Sequence, residues 1–530
     1  MTERLPVDPL HPFEGWDLRT LIDLRAAQSG DRPFLTWEPF EGGAKAWSFA
    51  EFGKAVRSLA AGLQARGIAP GDRVLIHLEN CPESLIAWLG CGYAGVVPVT
   101  TNARSTDDEL AYFAEHSGAK AAITQPKFAT SVEKAAPTAE WICVTQTDSG
   151  APTAGTLSKD FEPFAALERD PDTLVTRPHD PSAPFAIQYT SGTTSRPKAV
   201  LWTHANALWG ARVSAMHQGL TSEDVHLVHL PLFHTNAQIY SMLAALWAGA
   251  STVLMPRFSA SRFWELSIRH RCTWTSLVPF CVRALAAVAY PAKHFYRHWG
   301  SVVCAPPSDR DFNVTTIGWW GMTETVAQGA VGTLHLPNAP MSMGRPSPFY
   351  RLFVLDETMQ PVPPGATGEL YVRGKRGLSL FLEYAGDQEA TRRAFTDDGL
   401  FITGDRVRLD ESGFLFFVER TKDMLKVGGE NVAALEIEQV ILTVPGVAEV
   451  AVVAKPHPML DETPVAFVLP VKTPHDTALP RAIEATCEAL LSDFKRPTEV
   501  RIVDELPRST IEKVSKARLR EIVMADAMLN

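Results

Sequence analysis

The sequence has few cysteines, no basic excess and no strongly apolar leader. Its seven cysteines in 530 residues are scattered, with neither a CxxC pair nor a Cys/His spacing of the zinc type. A disulfide framework and a structural zinc site are therefore not expected, and the thiols are interpreted as reduced and mostly buried. The first residues are polar and lack a basic segment followed by an apolar one, which predicts a cytoplasmic protein without a secretory signal.

The charge balance argues against nucleic acid as a partner. A net charge of -10 and a pI of about 5.9 do not provide the clustered basic surface that such binding requires, so any phosphate site must be local. The most apolar window, 238–255, is about long enough for a membrane span. It contains Ser241 and an Ala-Gly-Ala turn and ends at Pro256, so it predicts a buried helix followed by a core strand.

The length of 530 residues indicates at least two domains. Between positions 47 and 124, helix-like and strand-like segments alternate with short polar turns. This alternation predicts an α/β fold with a largely parallel, helix-covered sheet. The predicted helices cover 52–66, 82–94 and 107–116, and the predicted strands cover 73–77, 96–100 and 120–124.

A second pattern begins near position 420. The preceding segment has short strands and Gly turns, whereas the following one predicts a small α+β domain. Its predicted helices cover 434–442 and 482–491, and its predicted strands cover 447–454 and 465–470. We therefore expect an N-terminal domain over 1–420, a hinge over 421–423 and a C-terminal domain over 424–530.

The most informative loop follows a strand predicted over 185–189. It reads Tyr-Thr-Ser-Gly-Thr-Thr-Ser-Arg-Pro-Lys over 189–198 and combines Ser and Thr hydroxyls with one Gly and one Lys. Such a loop can bind phosphate oxygens through hydroxyl and backbone N–H donors, while Lys198 supplies a positive charge. It is not a Walker loop, because Lys198 lacks the flanking Gly and Ser/Thr. A polar surface turn is the alternative.

At this loop the sequence resembles the adenylate-forming superfamily, which includes acyl-CoA synthetases, luciferases and the adenylation domains of peptide synthetases. The superfamily signature is Tyr/Phe-Thr-Ser-Gly-Thr-Thr-Gly-x-Pro-Lys-Gly, and here Ser195 and Ala199 replace two of its glycines. Four further motifs in the same order extend the resemblance over essentially the whole chain. It implies a large multi-layer N-terminal domain with helix-covered parallel sheets and a small mobile α+β C-terminal domain. It also implies ATP binding by Thr190, Ser191, Gly192, Thr193, Thr194 and Lys198.

The second motif is Trp-Gly-Met-Thr-Glu over 320–324, where the superfamily has Tyr-Gly-Met-Thr-Glu. The resemblance implies that Trp320 stacks on adenine, that Thr323 is a catalytic residue touching the α-phosphate, and that Glu324 holds Mg²⁺. One carboxylate is the usual protein ligand of a magnesium ion carried on nucleotide phosphates. A structural turn with a buried Trp and an exposed Glu is the alternative.

The third motif is Phe-Ile-Thr-Gly-Asp, which ends at Asp405 and is followed by Glu-Arg-Thr-Lys-Asp over 419–423. The resemblance implies that Asp405 accepts hydrogen bonds from the ribose hydroxyls and that Arg420 accompanies it on ribose and phosphate. It places Lys422 at the hinge. An exposed ion pair between Asp405 and Arg420 is the alternative.

The last two motifs lie in the C-terminal domain. The Gly-Gly pair of Gly428 and Gly429 resembles the loop that lines the pantetheine tunnel of coenzyme A during thioester formation. Lys513 matches the catalytic Lys that reaches across the domain boundary, with Glu512 where the superfamily usually has Gly. A plain strand-to-helix turn and a solvated basic turn are the respective alternatives.

Two further segments bear on the acid site. His234, in a Pro-Leu-Phe-His string, resembles the catalytic residue beside the reacting carboxylate, although a structural histidine is the alternative. Only residues 307–319 separate the turn at Cys304 from Trp320, so the helix usual at this place is expected to be largely absent. Around His234 the sequence is most similar to the carnitine/crotonobetaine-CoA ligase branch.

The resemblance implies an ATP-dependent carboxylic acid:CoA ligase that forms an acyl-adenylate and releases AMP and pyrophosphate. The expected partners are a small carboxylic acid, ATP, Mg²⁺ and coenzyme A, with no nucleic acid and no transmembrane segment, and a homodimer is compatible with the sequence. Aliphatic or alicyclic acids are favoured over aryl acids. A substrate with an onium group would require an aromatic cage. Trp209, Trp319 and Trp320 could contribute to such a cage, and the alternative is that they are apolar lining of the pocket. A ligase that loads a carrier protein and a non-catalytic nucleotide-binding protein are the rival hypotheses.

Overall fold

The computed structural model describes residues 10–152, 161–190, 197–420, 424–427, 430–457, 460–472, 477–491, 493–508 and 514–529. These residues form two compact units. The first contains the described residues within Met1–Thr190, Pro197–Arg351 and Arg373–Gly399, and the second contains those within Leu352–Val372 and Leu400–Asn530. The hinge predicted over 421–423 lies outside the described residues and stays a prediction.

One sheet of the first unit has eight described strands and is parallel over most of its width. Its central strands are buried at nearly every residue, because helices cover a parallel sheet on both faces. Two antiparallel strands, Glu383–Tyr384 and Lys198–Thr203, complete one edge. From that edge the order is Glu383–Tyr384, Lys198–Thr203, Pro184–Thr190, Val97–Thr100, Arg73–His77, Ala121–Thr124, Ile142–Val144 and Glu162–Pro163.

The second sheet of this unit has nine described strands. Its centre is parallel, and the pairs at both edges are antiparallel. Its order is Arg345–Pro346, Ala330–Val331, Thr315–Trp320, His298–Ser301, Trp274–Ser276, Val225–Val228, Ser251–Leu254, Pro33–Trp37 and Lys45–Ser48.

The helices of the first unit begin and end at residues with clear local causes. Capping boxes start the helices Phe49–Ala65 and Asp107–Ser117, and left-handed Gly95 and Gly118 terminate Pro82–Ala94 and Asp107–Ser117. The helices predicted from the sequence are thus confirmed to within three residues at their ends. The other helices are Leu18–Gln28, Ala129–Ala135, His204–His217, Ala244–Ala248, Ala260–Arg269, Pro279–Ala286, Ser308–Phe312 and Gln388–Arg393, with single 3₁₀ turns at Pro126–Phe128, Phe164–Leu167 and Pro171–Thr173.

The apolar window over 238–255 forms helix followed by a core strand, as predicted, and most of its residues are buried. It contains a π-helix over Asn236–Leu243, the helix Ala244–Ala248 and the core strand Ser251–Leu254. In the part of the chain that the structure describes, no helix combines the length and apolarity needed to cross a bilayer. The segment expected to lack a helix has one short helix, Ser308–Phe312. All seven cysteines are buried and free.

The second unit contains two further sheets. One has the order Arg351–Leu355, Thr367–Arg373, Phe401–Leu409 and Leu415–Arg420. The other has the order Glu430–Ala433, Met424–Val427, Asp461–Pro470 and Val447–His457, with Glu499–Ile502 parallel to Asp461–Pro470. The helices Ala434–Leu442, Leu479–Leu490 and Lys516–Leu529, with a 3₁₀ turn at Asp493–Lys495, accompany these strands and confirm the α+β pattern. Ile437 and Ile483 from two of the helices share one apolar core with Val452 and Val468 of the sheet.

Candidate active site

The Trp-Gly-Met-Thr-Glu motif begins at the end of a central strand. Trp320 is the last residue of Thr315–Trp320 and is only 6% exposed, and its carbonyl accepts a hydrogen bond from Gly329 N at 2.9 Å. Glycine fits at the next position, since a Cβ at Gly321 would lie 2.4 Å from the hydroxyl oxygen of the buried Tyr240 and 3.0 Å from the carbonyl oxygen of Ala327. The chain can therefore turn away from the sheet immediately after the aromatic residue.

Glu324 is buried, which contradicts the alternative of an exposed carboxylate. Its Oε1 accepts a hydrogen bond from the Tyr384 hydroxyl at 2.9 Å, and its carbonyl accepts one from Phe381 N at 2.8 Å. Burial, followed by the neighbouring Glu324, raises the pKa of Tyr384, so the phenol stays protonated and donates. Lys198 Nζ lies 4.6 Å from the centre of the Tyr384 ring. Two predicted site residues, Lys198 and Glu324, thus contact the same tyrosine.

The backbone of Thr323 is held from two directions. Its carbonyl accepts hydrogen bonds from the indole N–H of Trp202 at 2.9 Å and from Val326 N at 3.3 Å. Val326 has a φ of 64°, an uncommon conformation for a β-branched residue. Strained backbone of this kind persists only where the surrounding structure enforces it, and it concentrates at functional sites. The tight turn thus fixes Thr323 between a sheet and a strained residue.

The loop that carries His234 follows the strand Val225–Val228 and is fixed by Asn80. Asn80 accepts a hydrogen bond from Leu232 N at 2.7 Å and donates to the carbonyls of Leu230 at 3.0 Å and Met255 at 3.1 Å. No local pattern in the sequence distinguishes this asparagine, because its partners lie about 150 residues or more away. Asn80 therefore holds the backbone of the loop at Leu230 and Leu232, just before His234.

His234 leads directly into the π-helix Asn236–Leu243, since its carbonyl accepts from Gln238 N at 2.9 Å. The hydroxyl of the adjacent Thr235 lies 3.3 Å from the hydroxyl of Thr323. The fold therefore brings the His234 loop against the Trp-Gly-Met-Thr-Glu turn. Thr235 ends the Leu-Pro-Leu-Phe-His-Thr loop that the sequence places beside the acid pocket, but no role was predicted for it.

The phosphate-loop prediction is described only at its two ends. Thr190 and Lys198 face each other across antiparallel strands, and the Thr190 hydroxyl lies 3.5 Å from the Lys198 carbonyl. The residues between them that were predicted to bind ATP, Ser191, Gly192, Thr193 and Thr194, lie outside the described residues. Their roles stay predictions, as does that of Lys198.

In the second unit, Asp405 is 2% exposed. The alternative of an exposed ion pair is therefore wrong for this carboxylate. Its backbone N–H donates to the Thr403 hydroxyl at 3.1 Å, and Thr403 in turn donates to Leu370 O at 2.6 Å. Asp405 and Arg420 are partners in the backbone register of two antiparallel strands. The side chain of Arg420 and all of Lys422, Gly428, Gly429 and Lys513 lie outside the described residues.

The tryptophans considered for an aromatic cage have different neighbours. Trp209 donates to the Tyr350 hydroxyl at 3.2 Å and packs edge-on against Phe349. Trp319 packs edge-on against Tyr240 at 5.9 Å, and its ring covers Gly300, where a Cβ would lie 1.7 Å from the indole. Trp209 thus contacts a different set of residues from Trp319.

Comparison with known families and proteins agrees with this arrangement. The AMP-binding enzyme family matches residues 22–385, and the AMP-binding enzyme C-terminal domain matches residues 436–513. Crotonobetaine/carnitine–CoA ligase of Proteus mirabilis (strain HI4320) is 32% identical over 95% of this chain and 98% of its own. The enzyme of the same name from Escherichia coli O139:H28 is 32% identical over 96% of this chain and 99% of its own.

Solved structures show the same fold. ATP-bound MatB from Rhodopseudomonas palustris has a TM-score of 0.81 and 27% identity, covering 96% of this chain and 99% of its own. O-succinylbenzoate coenzyme A synthetase (MenE) from Bacillus subtilis, with ATP and magnesium, has a TM-score of 0.81 and 25% identity over 94% of this chain and 98% of its own.

The chain therefore belongs to the AMP-binding enzyme family, with the large α/β and small α+β parts of that family. Within it, the chain is an acid–thiol ligase of the AMP-forming acyl-CoA synthetase class, which acts through an acyl-adenylate.

Proposed function

We propose that the protein activates an aliphatic or alicyclic carboxylic acid with ATP and Mg²⁺ and transfers the acyl group to coenzyme A. The observation that carries the proposal is the convergence of Lys198, Thr323 and Glu324 near Tyr384 and Thr235, because these groups suit phosphate and a hard cation. The acid class is supported by the names of the relatives, since crotonobetaine and carnitine are aliphatic acids.

Adenylation joins a carboxylate oxygen of the acid to the α-phosphorus of ATP and releases pyrophosphate. Lys198 binds phosphate oxygens as a positive charge, Thr323 donates its hydroxyl to the α-phosphate, and Trp320 stacks on adenine. His234 lies beside the reacting carboxylate and orients it. Asp405 and Arg420 bind the ribose, and Lys513 offsets the charge that develops between the carboxylate and the α-phosphate.

The donor set fits a magnesium ion that is carried on the nucleotide. In the described part of the chain, no group of three or more His, Cys, Asp and Glu side chains could hold a metal. Mg²⁺ usually keeps several waters and takes one or two carboxylates plus substrate phosphates, and Glu324 supplies one such carboxylate. When bound, the cation would offset negative charge on the phosphate oxygens.

In the second step the thiol attacks the acyl carbon and AMP leaves. The Lys513 loop would crowd that attack, so a rotation at Lys422 withdraws it and brings Gly428 and Gly429 to the pantetheine arm. One pocket then serves both half-reactions.

The decisive experiment is a pyrophosphate-release assay with a panel of acids, with and without coenzyme A. The panel includes crotonobetaine, butyrate, cyclohexanecarboxylate and benzoate. The proposal expects acid-dependent release with the non-aromatic acids and acyl-CoA only when coenzyme A is present. Release with benzoate alone would overturn the acid class. Acyl transfer to a carrier protein but not to coenzyme A would overturn the acceptor, and no release at all would favour a non-catalytic nucleotide-binding protein.

A further inference from the structure

A chain of buried amides and hydroxyls runs through the core of the first unit and ends at Thr323. Gln238 Nε2 donates to Thr100 Oγ1 at 3.3 Å, and Gln188 Nε2 donates to Gln238 Oε1. Thr235 Oγ1 lies 2.8 Å from Gln188 Oε1 and 3.3 Å from Thr323 Oγ1. Thr100, Gln188, Thr235 and Gln238 are all 7% exposed or less. None of them belongs to the sites predicted from the sequence, apart from the end point Thr323.

The distances and the donor inventory give this chain a direction. A threonine hydroxyl has one proton, and a glutamine amide oxygen can only accept. Thr235 is the donor in both of its contacts and shares its single proton between Gln188 Oε1 at 2.8 Å and Thr323 Oγ1 at 3.3 Å. Thr323 accepts in this contact, which therefore does not use the proton of its own hydroxyl. The amide orientation of Gln188 is consistent with this, because its nitrogen is used on Gln238.

The π-helix brings Thr235 and Gln238 to the same glutamine. Thr235 and Gln238 are three positions apart at the start of Asn236–Leu243, and both reach Gln188 on the strand Pro184–Thr190. π-helical turns are rare and are frequently found at functional sites. Apolar side chains could fill this space without the cost of burying polar groups. The hydrogen-bonded side chains found here are therefore better explained by the orientation that they impose on one another than by a gain in stability.

We propose that Thr235 is a positioning residue for the hydroxyl of Thr323. Gln188 and Gln238 fix the Thr235 hydroxyl, which donates to the Thr323 oxygen and so directs the Thr323 hydroxyl to donate a hydrogen bond to the α-phosphate. This inference rests on the proposed function in one respect, namely that Thr323 contacts the α-phosphate. A hydroxyl that is already oriented before ATP binds lowers the barrier of the chemical step. Removing the Thr235 hydroxyl should therefore lower kcat of adenylation more than it weakens ATP binding.

The test is a double-mutant cycle on the adenylation half-reaction, measured by ATP–pyrophosphate exchange with the best acid of the panel. Thr235→Val should lower kcat by about three- to tenfold, the range for loss of one neutral hydrogen bond. Thr235→Ser keeps the oxygen and should restore most of the rate. Thr235→Val combined with Thr323→Val should be no slower than Thr323→Val alone. Thr252→Val, which removes an equally buried hydroxyl that donates to Phe34 O at 2.8 Å, is the matched control.

Each outcome decides the inference. Additive losses in the double variant, or equal losses in Thr235→Val and Thr252→Val, would overturn the positioning role and leave the proposed function intact. Full exchange activity in Thr323→Val would overturn the positioning role together with the α-phosphate contact of Thr323, whereas the adenylation activity itself would stand. If Thr235→Val does not fold, the same cycle is made with Thr235→Ala, and failure of Thr235→Ser to rescue either variant would contradict the inference.

Discussion

The hydroxyl of Tyr384 donates a hydrogen bond of 2.9 Å to Glu324 Oε1, and both residues are buried in the first unit. The same aromatic ring lies 4.6 Å from Lys198 Nζ, within the range of a cation–π interaction. Tyr384 therefore contacts both charged groups, the ammonium through its ring and the carboxylate through its hydroxyl.

Tyr384→Phe should raise the Mg²⁺ concentration needed for half-maximal adenylation. Phe keeps the ring beside Lys198 but removes the donor that orients the carboxylate, and loss of such a partner typically costs about 10- to 100-fold in metal affinity. Mg²⁺ titrations of pyrophosphate release, together with Mn²⁺ binding measured by electron paramagnetic resonance in the presence of ATP, check this.

A matched control is Tyr371→Phe, which removes a hydrogen bond of 2.9 Å from a tyrosine to Glu369 in the four-stranded sheet. It should leave the Mg²⁺ dependence unchanged. An unchanged Mg²⁺ requirement in Tyr384→Phe would show that Tyr384 has only a packing role.

Glu324→Gln should strongly reduce adenylation and leave the fold intact, because the amide keeps the shape and the contact with Tyr384 but loses the negative charge that attracts a cation. Pyrophosphate release at limiting and saturating Mg²⁺, with circular dichroism as the check on folding, measures the effect. Full activity of this variant at limiting Mg²⁺ would remove Glu324 from the metal site.

Asp405→Ala should weaken ATP binding by about 1.5–3 kcal/mol, the range for hydrogen bonds to a charged group. The expected cause is loss of the acceptor for the ribose hydroxyls, and isothermal titration calorimetry gives the affinity. Wild type and variant should differ less for 2′-deoxy-ATP than for ATP, since one of the hydrogen bonds is then already missing. Equal losses for both nucleotides would contradict ribose recognition.

Lys513→Ala should slow acyl-adenylate formation by about 10²–10³-fold, because one well-placed charge is lost at the transition state. Starting from preformed acyl-adenylate isolates the second step, where this variant should be nearly as fast as wild type. Lys422→Pro fixes φ at the proposed pivot and should show the opposite pattern, with adenylation retained and thioester formation suppressed. Comparable losses in both half-reactions would contradict domain alternation.

The protein should lose stability in acid through Asp17. Burial acts to raise the pKa of this carboxyl, but the hydrogen-bonded Arg19 and the nearby His204 and Arg177 outweigh it and hold the pKa at about 2, below the usual 3.8. A lowered folded pKa gives stability that is present above pH 3.8 and is lost as the pH falls through about 2. The difference corresponds to about 2 kcal/mol.

Asp17→Asn preserves a capping residue for the helix Leu18–Gln28 but should make the free energy of unfolding less dependent on pH between 5 and 2. Chemical denaturation at several pH values measures this dependence. Glu389→Gln, which removes an exposed ion pair with Arg392, is the control and should change little. A wild-type slope in Asp17→Asn would assign the acid sensitivity to other groups, such as His204, whose burial lowers its pKa to about 3.

The sequence alone determined the class of fold and the motifs. Periodicity predicted the helix Pro82–Ala94 and the strand Arg73–His77 with the bounds that the structure has, because a proline in the first turn, a glycine stop and a short apolar run are local properties. The phosphate loop and the Trp-Gly-Met-Thr-Glu string were recognisable because their chemistry lies in consecutive residues. The domain boundary stays a prediction, as do the roles of the motif residues that lie outside the described part of the chain.

Only the tertiary structure decided which residues support those motifs. Asn80 and Tyr384 contact the site from positions about 60 to 186 residues away from their partners, and Gln188 contacts Thr235 across 47 residues. No periodicity or spacing encodes such contacts, because they arise where two sheets, a π-helix and a strained turn converge. The burial of Glu324 and Asp405 was likewise fixed by packing, since a carboxylate in a motif carries no local sign of whether the fold will cover it.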